Sequence, residues 1–282
     1  MLLPQNHERK QYLVLYFKII GFIKRDYLIE SRYKLNFILN FVNSILPVVS
    51  FFFVSKMVEG TATTSLEKYG GDYFSFALIG ISFTRFFQLA VDTFSGNIKR
   101  AQMAGCLEAI LSSQTDSKTV VLLSSLYSFF AAGIQLFFMF AIGTIFLGFD
   151  FANTNILALL LSLFISFMAF ISLGIFSAAG TVIFKQGEPV GWLFGAISAL
   201  VGGAMFPVSI MPEWLQFISK IFPITYALDV IRLAILKGYS TEMMWEELLI
   251  LAIMSGIMFP LSLRTFNWAV EKGKRDGTLM SY

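Results

Sequence analysis

Arg85, Gln88 and Asp92 interrupt an apolar run in the second quarter of the chain. Spacings of three and seven residues put them on one face of a helix. A guanidinium inside a membrane-length apolar segment is costly and marks a functional site by default. It either helps polar or anionic head groups across or forms an ion pair with Asp92, turned towards protein. Other chemistries lack their parts. The single cysteine, Cys106, excludes an internal disulfide and a multi-thiolate metal site, so no metal is expected. The single histidine, His7, lies in a polar leader and cannot serve as a base within the membrane, so no catalytic residue is expected. Phosphate cradling needs a Gly-rich turn followed by Lys-Ser or Lys-Thr, and Lys272-Gly-Lys-Arg-Asp-Gly-Thr lacks that order.

The elements that hold these residues follow from composition. The chain has 282 residues, 56% hydrophobic and 14% charged, with a mean hydropathy of +0.72. Soluble domains carry about 25% charged residues, so this is the composition of a membrane protein. No water-facing stretch is long enough to gather Lys and Arg into a nucleic-acid surface. A cleavable signal is not expected either. The first apolar run, Tyr12 to Ile23, is broken by Lys18 and followed by Lys24 and Arg25.

A hydrocarbon core of ~30 Å needs about 20 apolar residues per helix. Six spans are predicted, near 36–58, 73–96, 119–149, 154–184, 190–211 and 246–268. The short polar turn Asp150 to Asn155 makes spans three and four an antiparallel hairpin. Arg9, Lys10, Lys18, Lys24, Arg25, Arg32 and Lys34 precede the first span, and Lys272, Lys274 and Arg275 follow the last. Lys99, Arg100 and Lys118 follow the second span, and Lys185 follows the fourth. Basic residues mark the cytoplasmic side, so both termini are predicted there, in a cytoplasmic membrane.

Two segments read as amphipathic rather than spanning. In 1–35, Leu13, Phe17 and Ile20 share a face while Lys18, Arg25 and Arg32 recur every seven residues, as in a helix lying in the headgroup layer. In 212–245, Ile224, Leu228, Ile231 and Ile235 recur at helical spacing, with Asp229 and Arg232 elsewhere on the helix. That predicts a pair of short helices at the outer surface, broken at Pro223. A seventh span there would place the basic tail, 269–282, outside. The expected architecture is therefore all-α: a leader, a six-span domain over 36–268 and a cytoplasmic tail.

Three stretches carry a resemblance. Gly105-Cys-Leu-Glu-Ala-Ile-Leu-Ser-Ser-Gln resembles the Gly-Thr-Leu-Glu-x-Leu-Leu-x-Ser-Pro pattern of the ABC type-2 exporter permeases. It matches at Gly105, Leu107, Glu108, Leu111 and Ser113 and departs at Cys106 and Gln114. The second is Phe184-Lys-Gln-Gly-Glu-Pro-Val. The third runs from Gly203-Ala-Met-Phe-Pro to Phe222-Pro-Ile-Thr-Tyr-Ala-Leu-Asp-Val-Ile-Arg. Their shared order and spacing cover nearly the whole chain.

The resemblance implies a homodimer of six-span subunits served by two copies of an ABC ATPase, which would bind the ATP and magnesium. No cofactor is expected in this chain. It implies that loop 97–118 is a coupling helix docked on the ATPase, with Gly105, Glu108 and Leu111 as coupling residues. Gly191, Gly195, Ala199 and Gly203, four apart, allow close helix approach in lipid. The resemblance makes that stripe a candidate dimer seam. The implied function is export of hydrophobic or amphipathic small molecules, with lipid or lipid-linked polysaccharide as the alternative. A secondary transporter would need repeated halves and broken helices, and no repeat is found.

Overall fold

The protein is described by a computed structural model. It describes residues 20, 21, 24, 28, 34–58, 63–103, 105, 117–184, 195–198 and 200–276. The described residues are helical, with no strand. They include five helices long and apolar enough to cross a membrane. Four are α1 (Lys34–Val58), α2 (Tyr73–Met103), α3 (Ser117–Leu147) and α4 (Ile156–Phe184). Two short helices follow, α5 (Glu213–Ser219) and α6 (Pro223–Arg232), and then the last long helix, α7 (Trp245–Arg275). These long helices coincide with predicted spans one to four and six.

The hub is α2. It buries 72% of its apolar window inside the protein, against 17% for α1 and 22% for α3. Asp72 starts it, accepting hydrogen bonds from the Phe74 and Ser75 backbone N–H groups at 3.2 and 2.9 Å. A carboxylate at this position satisfies donors that no preceding turn can reach. On one side α2 packs against α4, where Phe87 and Phe170 stack at 3.8 Å. On another it packs against α3, and α7 lies along α4.

Spans three and four are joined by the predicted short turn, but neither is the other's main packing partner. The helices joined by the 148–155 turn touch at Phe129 and Phe167, whose rings meet at 4.8 Å, but α3 packs chiefly on α2, and α4 on α7 and then α2. The turn is held from elsewhere: the Asn155 N–H donates to the Ala234 carbonyl at 2.9 Å, and Thr154 Oγ1 donates to the Ile235 carbonyl.

The predicted fifth span is described only at 195–198 and from 200, and it stops short of 211. Helix gives way at Gly202, and Gly203 takes a left-handed φ of +71°. That conformation is strained for any residue with a Cβ, so the glycine pair turns the chain. The helix break predicted at Pro223 is present, with Pro223 at the first position of α6. The pair of short helices is present, but the second is enclosed by the protein. Ile224, Leu228, Ile231 and Ile235 are buried as expected, but so are Ala227, Val230 and Arg232. Helix α6 is packed against α2, α4 and α7, and only α5 shows a solvent-exposed apolar face, through Trp214 and Phe217.

Candidate functional site

Arg85 sits about 18 Å along α2 from its start, near the middle of a membrane-length helix. It is exposed there and lines a cavity of about 230 Å³ between α1, α2 and α3. Leu89, Thr93 and Arg100 continue the same face of α2, Phe41 closes one wall, and Ala131, Ile134 and Phe138 of α3 form the other. Among the described residues, the lining contains two arginines and no carboxylate. Gln135 at its edge donates to Ser44 Oγ, tying α3 to α1.

The other two members of the predicted polar triad are turned elsewhere. Gln88 Nε2 donates to Asp92 Oδ1 at 2.9 Å. Arg85 makes no hydrogen bond or ion pair with a described residue, so the Arg85–Asp92 pair is not formed.

A second arginine is engaged on every side. Arg232, 3% exposed, lies over the Phe76 ring at 3.5 Å. Its Nε donates to the Phe76 carbonyl at 3.2 Å and its Nη2 to the Ala204 carbonyl at 2.9 Å. Ala204 follows the left-handed turn, where the broken helix frees carbonyl groups. One turn back on α6, Asp229 accepts from Tyr69 Oη and, at 2.7 Å, from Lys68 Nζ. Lys68 and Tyr69 belong to the 3₁₀ turn Glu67–Tyr69 between α1 and α2. Burial first, and then the facing carboxylate of Asp229, push the Tyr69 phenol well above its usual value. Burial lowers Arg232 to about 10, opposed by Tyr69 and Asp229, and it stays cationic at neutral pH. The cluster joins the α1–α2 connection, the start of α2, the post-Gly203 turn and α6.

Gly80 makes this socket possible. A Cβ there would lie 1.9 Å from the Ala204 carbonyl oxygen and 2.2 Å from Arg232 Nη2. Sequence reasoning placed Arg232 off the buried stripe because its acceptors are backbone carbonyls, which no residue type announces. The available signal was Gly80, a glycine in the middle of a helix that costs about 1 kcal/mol relative to Ala.

The family pattern for the ABC-2 type transporter matches residues 19–236, from before α1 to the end of the turn after α6. The chain belongs to the ABC-2 type transporter family. No curated protein sequence matches it. Membership makes this a multi-pass membrane permease of an ABC transporter and implies an ATPase partner. Both arginines lie inside the matched stretch; all of α7 lies beyond it.

Within this ABC-2 permease, the predicted coupling residues are only partly described. Gly105 stands just past the end of α2 with φ +66°, its N–H donating to the Gln102 carbonyl at 2.9 Å. Glu108 and Leu111 lie outside the described residues, as do Cys106, Gly191 and Ala199 and most of the predicted interfacial helix. Gly195 faces its own subunit: a Cβ there would meet Gln88 Oε1 of α2 at 2.4 Å. Ala196 and Leu200, four apart, are exposed instead. Gly195 is thus packed closely on α2, and Gly203 forms the left-handed turn.

Proposed function

We propose that this permease, as a homodimer with two ATPase subunits, exports hydrophobic or amphipathic small molecules across the cytoplasmic membrane. The basic residues flanking the first and last spans support cytoplasmic termini, facing the ATPase. The absence of a phosphate-binding loop in the sequence supports leaving ATP hydrolysis to the partner. Gly105, Glu108 and Leu111 are the residues proposed to meet it. The exposed Ala196–Leu200 edge of the fifth span is the face proposed for the second subunit.

The observation that carries the substrate class is the α1–α2–α3 cavity. Its walls are aromatic and aliphatic, with cationic and hydroxyl groups interspersed. At about 230 Å³ it is smaller than the ~300–1,000 Å³ of pockets that enclose drug-sized ligands. That size suits part of an amphiphile whose remainder stays in lipid, and it does not suit a glycan. The test is substrate-stimulated ATP hydrolysis and vesicle uptake by the reconstituted complex, across amphiphilic drugs, lipids and lipid-linked glycans. Stimulation and uptake confined to the amphiphiles are expected. Stimulation by glycans alone would replace this substrate class, and transport driven by an ion gradient without ATP would remove the exporter reading.

A further inference from the structure

We propose that the α1–α2–α3 cavity is a lateral binding site for an anionic amphiphile, whose head group pairs with Arg85 while its chain lies along the apolar wall of α3. Arg85 is a cation near the middle of a span, with no hydrogen bond or ion pair to a described residue. Such a charge is stabilised by an anion, and guanidinium groups bind phosphate, sulfate or carboxylate oxygens in pairs. Arg100 lines the same cavity, with its own Nη2 donating to Asn97, and no Asp or Glu among the described residues lines it. The charged side chains among the described lining residues are therefore all cationic. In the core of a bilayer, Coulomb attraction is little screened.

The walls specify the rest of the ligand. Ile134 and Phe138 line the cavity and are each 42% exposed on the outside of α3, so the cavity continues onto a lipid-facing surface. Phe130 and Phe137, 72% and 70% exposed, extend the apolar face of α3 on either side. A molecule with an acyl or alkyl chain can enter from the hydrocarbon without leaving the bilayer. That ligand is cargo only on the exporter reading, whereas its binding requires neither nucleotide nor ATPase.

The experiment uses the purified full-length chain in phosphatidylcholine nanodiscs. Phosphatidylglycerol carrying a photoreactive chain is compared with a phosphatidylcholine probe bearing the same chain, and labelled peptides are mapped by mass spectrometry. Labelling of the 85–138 region by the anionic probe is expected to exceed that by the zwitterionic probe by about tenfold, which is 1.4 kcal/mol. Arg85→Gln should bring the two probes level, Arg85→Lys should keep part of the preference, and Leu89→Trp should reduce both by filling the cavity. Dodecyl phosphate added from water separates two sources of the same chemistry. Competition by it means that amphiphiles from either phase reach Arg85, and persistence of labelling restricts the site to membrane lipid.

Equal labelling by the two probes, or a preference unchanged in Arg85→Gln, would overturn the site. So would efficient disulfide crosslinking of Arg85→Cys between two subunits in a Cys106→Ser background, because a second copy would then cover the face. Loss of the labelling preference with transport intact rejects this site alone. Preferential labelling without any ATP-driven transport rejects the exporter reading and leaves the site standing.

Discussion

Arg85 and Arg232 carry the same side chain into opposite circumstances. Arg85 lies mid-span, exposed, with no described partner; Arg232 lies outside the long helices, buried, on two carbonyls and an aromatic face. The charge that looks most anomalous in the sequence is thus the one the fold does not use. The charge that looks like an ordinary polar-face residue is structural. A charged residue can be absorbed wherever broken helices supply backbone acceptors, and α6 meets α2 at such a place. In the middle of an unbroken helix every nearby carbonyl is already bonded, so Arg85 must find its anion elsewhere.

The largest expected effect tests Arg232 directly. Arg232→Ala strips two charge-assisted hydrogen bonds and leaves buried carbonyls unsatisfied, and should cost about 3–5 kcal/mol. Thermal unfolding of the purified protein in detergent reads this as a large drop in Tm. A loss below about 1 kcal/mol would mean that the socket is not structural. Gly80→Ala comes next: the new Cβ would press on the Ala204 carbonyl and displace the guanidinium. A cost of about 2–4 kcal/mol is expected, towards the upper end of overpacking penalties because the obstructing atom is backbone. Gly133→Ala in α3 is the control. Nothing lies within 4 Å of its Cβ position, so it should be neutral or stabilise by up to about 1 kcal/mol.

Gly195→Ala should cost about 1 kcal/mol, because Gln88, a flexible side chain, can withdraw. Ala196→Leu should leave the monomer's stability alone and alter crosslinking between subunits. The reverse pattern would place the subunit seam on the predicted glycine stripe. Smaller still is the Lys68–Asp229 pair, whose lysine is half exposed. A double-mutant cycle of Lys68→Ala and Asp229→Asn should return a coupling of about 0.5–1 kcal/mol. The smallest effect belongs to Arg85. Arg85→Gln should shift stability by no more than about 0.5 kcal/mol. A large destabilisation would show that Arg85 has a structural partner after all and would erase the contrast with Arg232.

The long helices were legible because a membrane fixes both the length and the polarity of what crosses it. Runs such as Ile156–Phe184 have few other readings. The buried stripe Ile224, Leu228, Ile231 and Ile235 was legible for the same reason, through its period. Neighbour relations were not. A short turn suggested that α3 and α4 pair, yet α3 packs chiefly on α2 and α4 on α7, and the turn is fastened to carbonyls at Ala234 and Ile235. Arg232 was missed for a related reason: its partners at Phe76 and Ala204 are peptide groups, set by where the backbone breaks. At Gly195 the close neighbour is Gln88 of α2, and spacing alone could not say which helix approaches.

The length of α2 has a mechanical consequence. From Gly80 to Met103 the helix runs without interruption for about 35 Å. One end is clamped by the Arg232 socket, and the other ends beside Gly105. Treated as a stiff rod pivoting at the clamp, a tilt of about 5° carries its far end through about 3 Å, roughly the length of one hydrogen bond. A push too small to deform a helix at the Gly105 end is therefore a displacement of side-chain scale. The same arm sweeps Arg85, only five residues from the pivot, through less than about 1 Å. Motion along this rod is geared: ample where a partner would take hold, and fine where a cation meets the membrane.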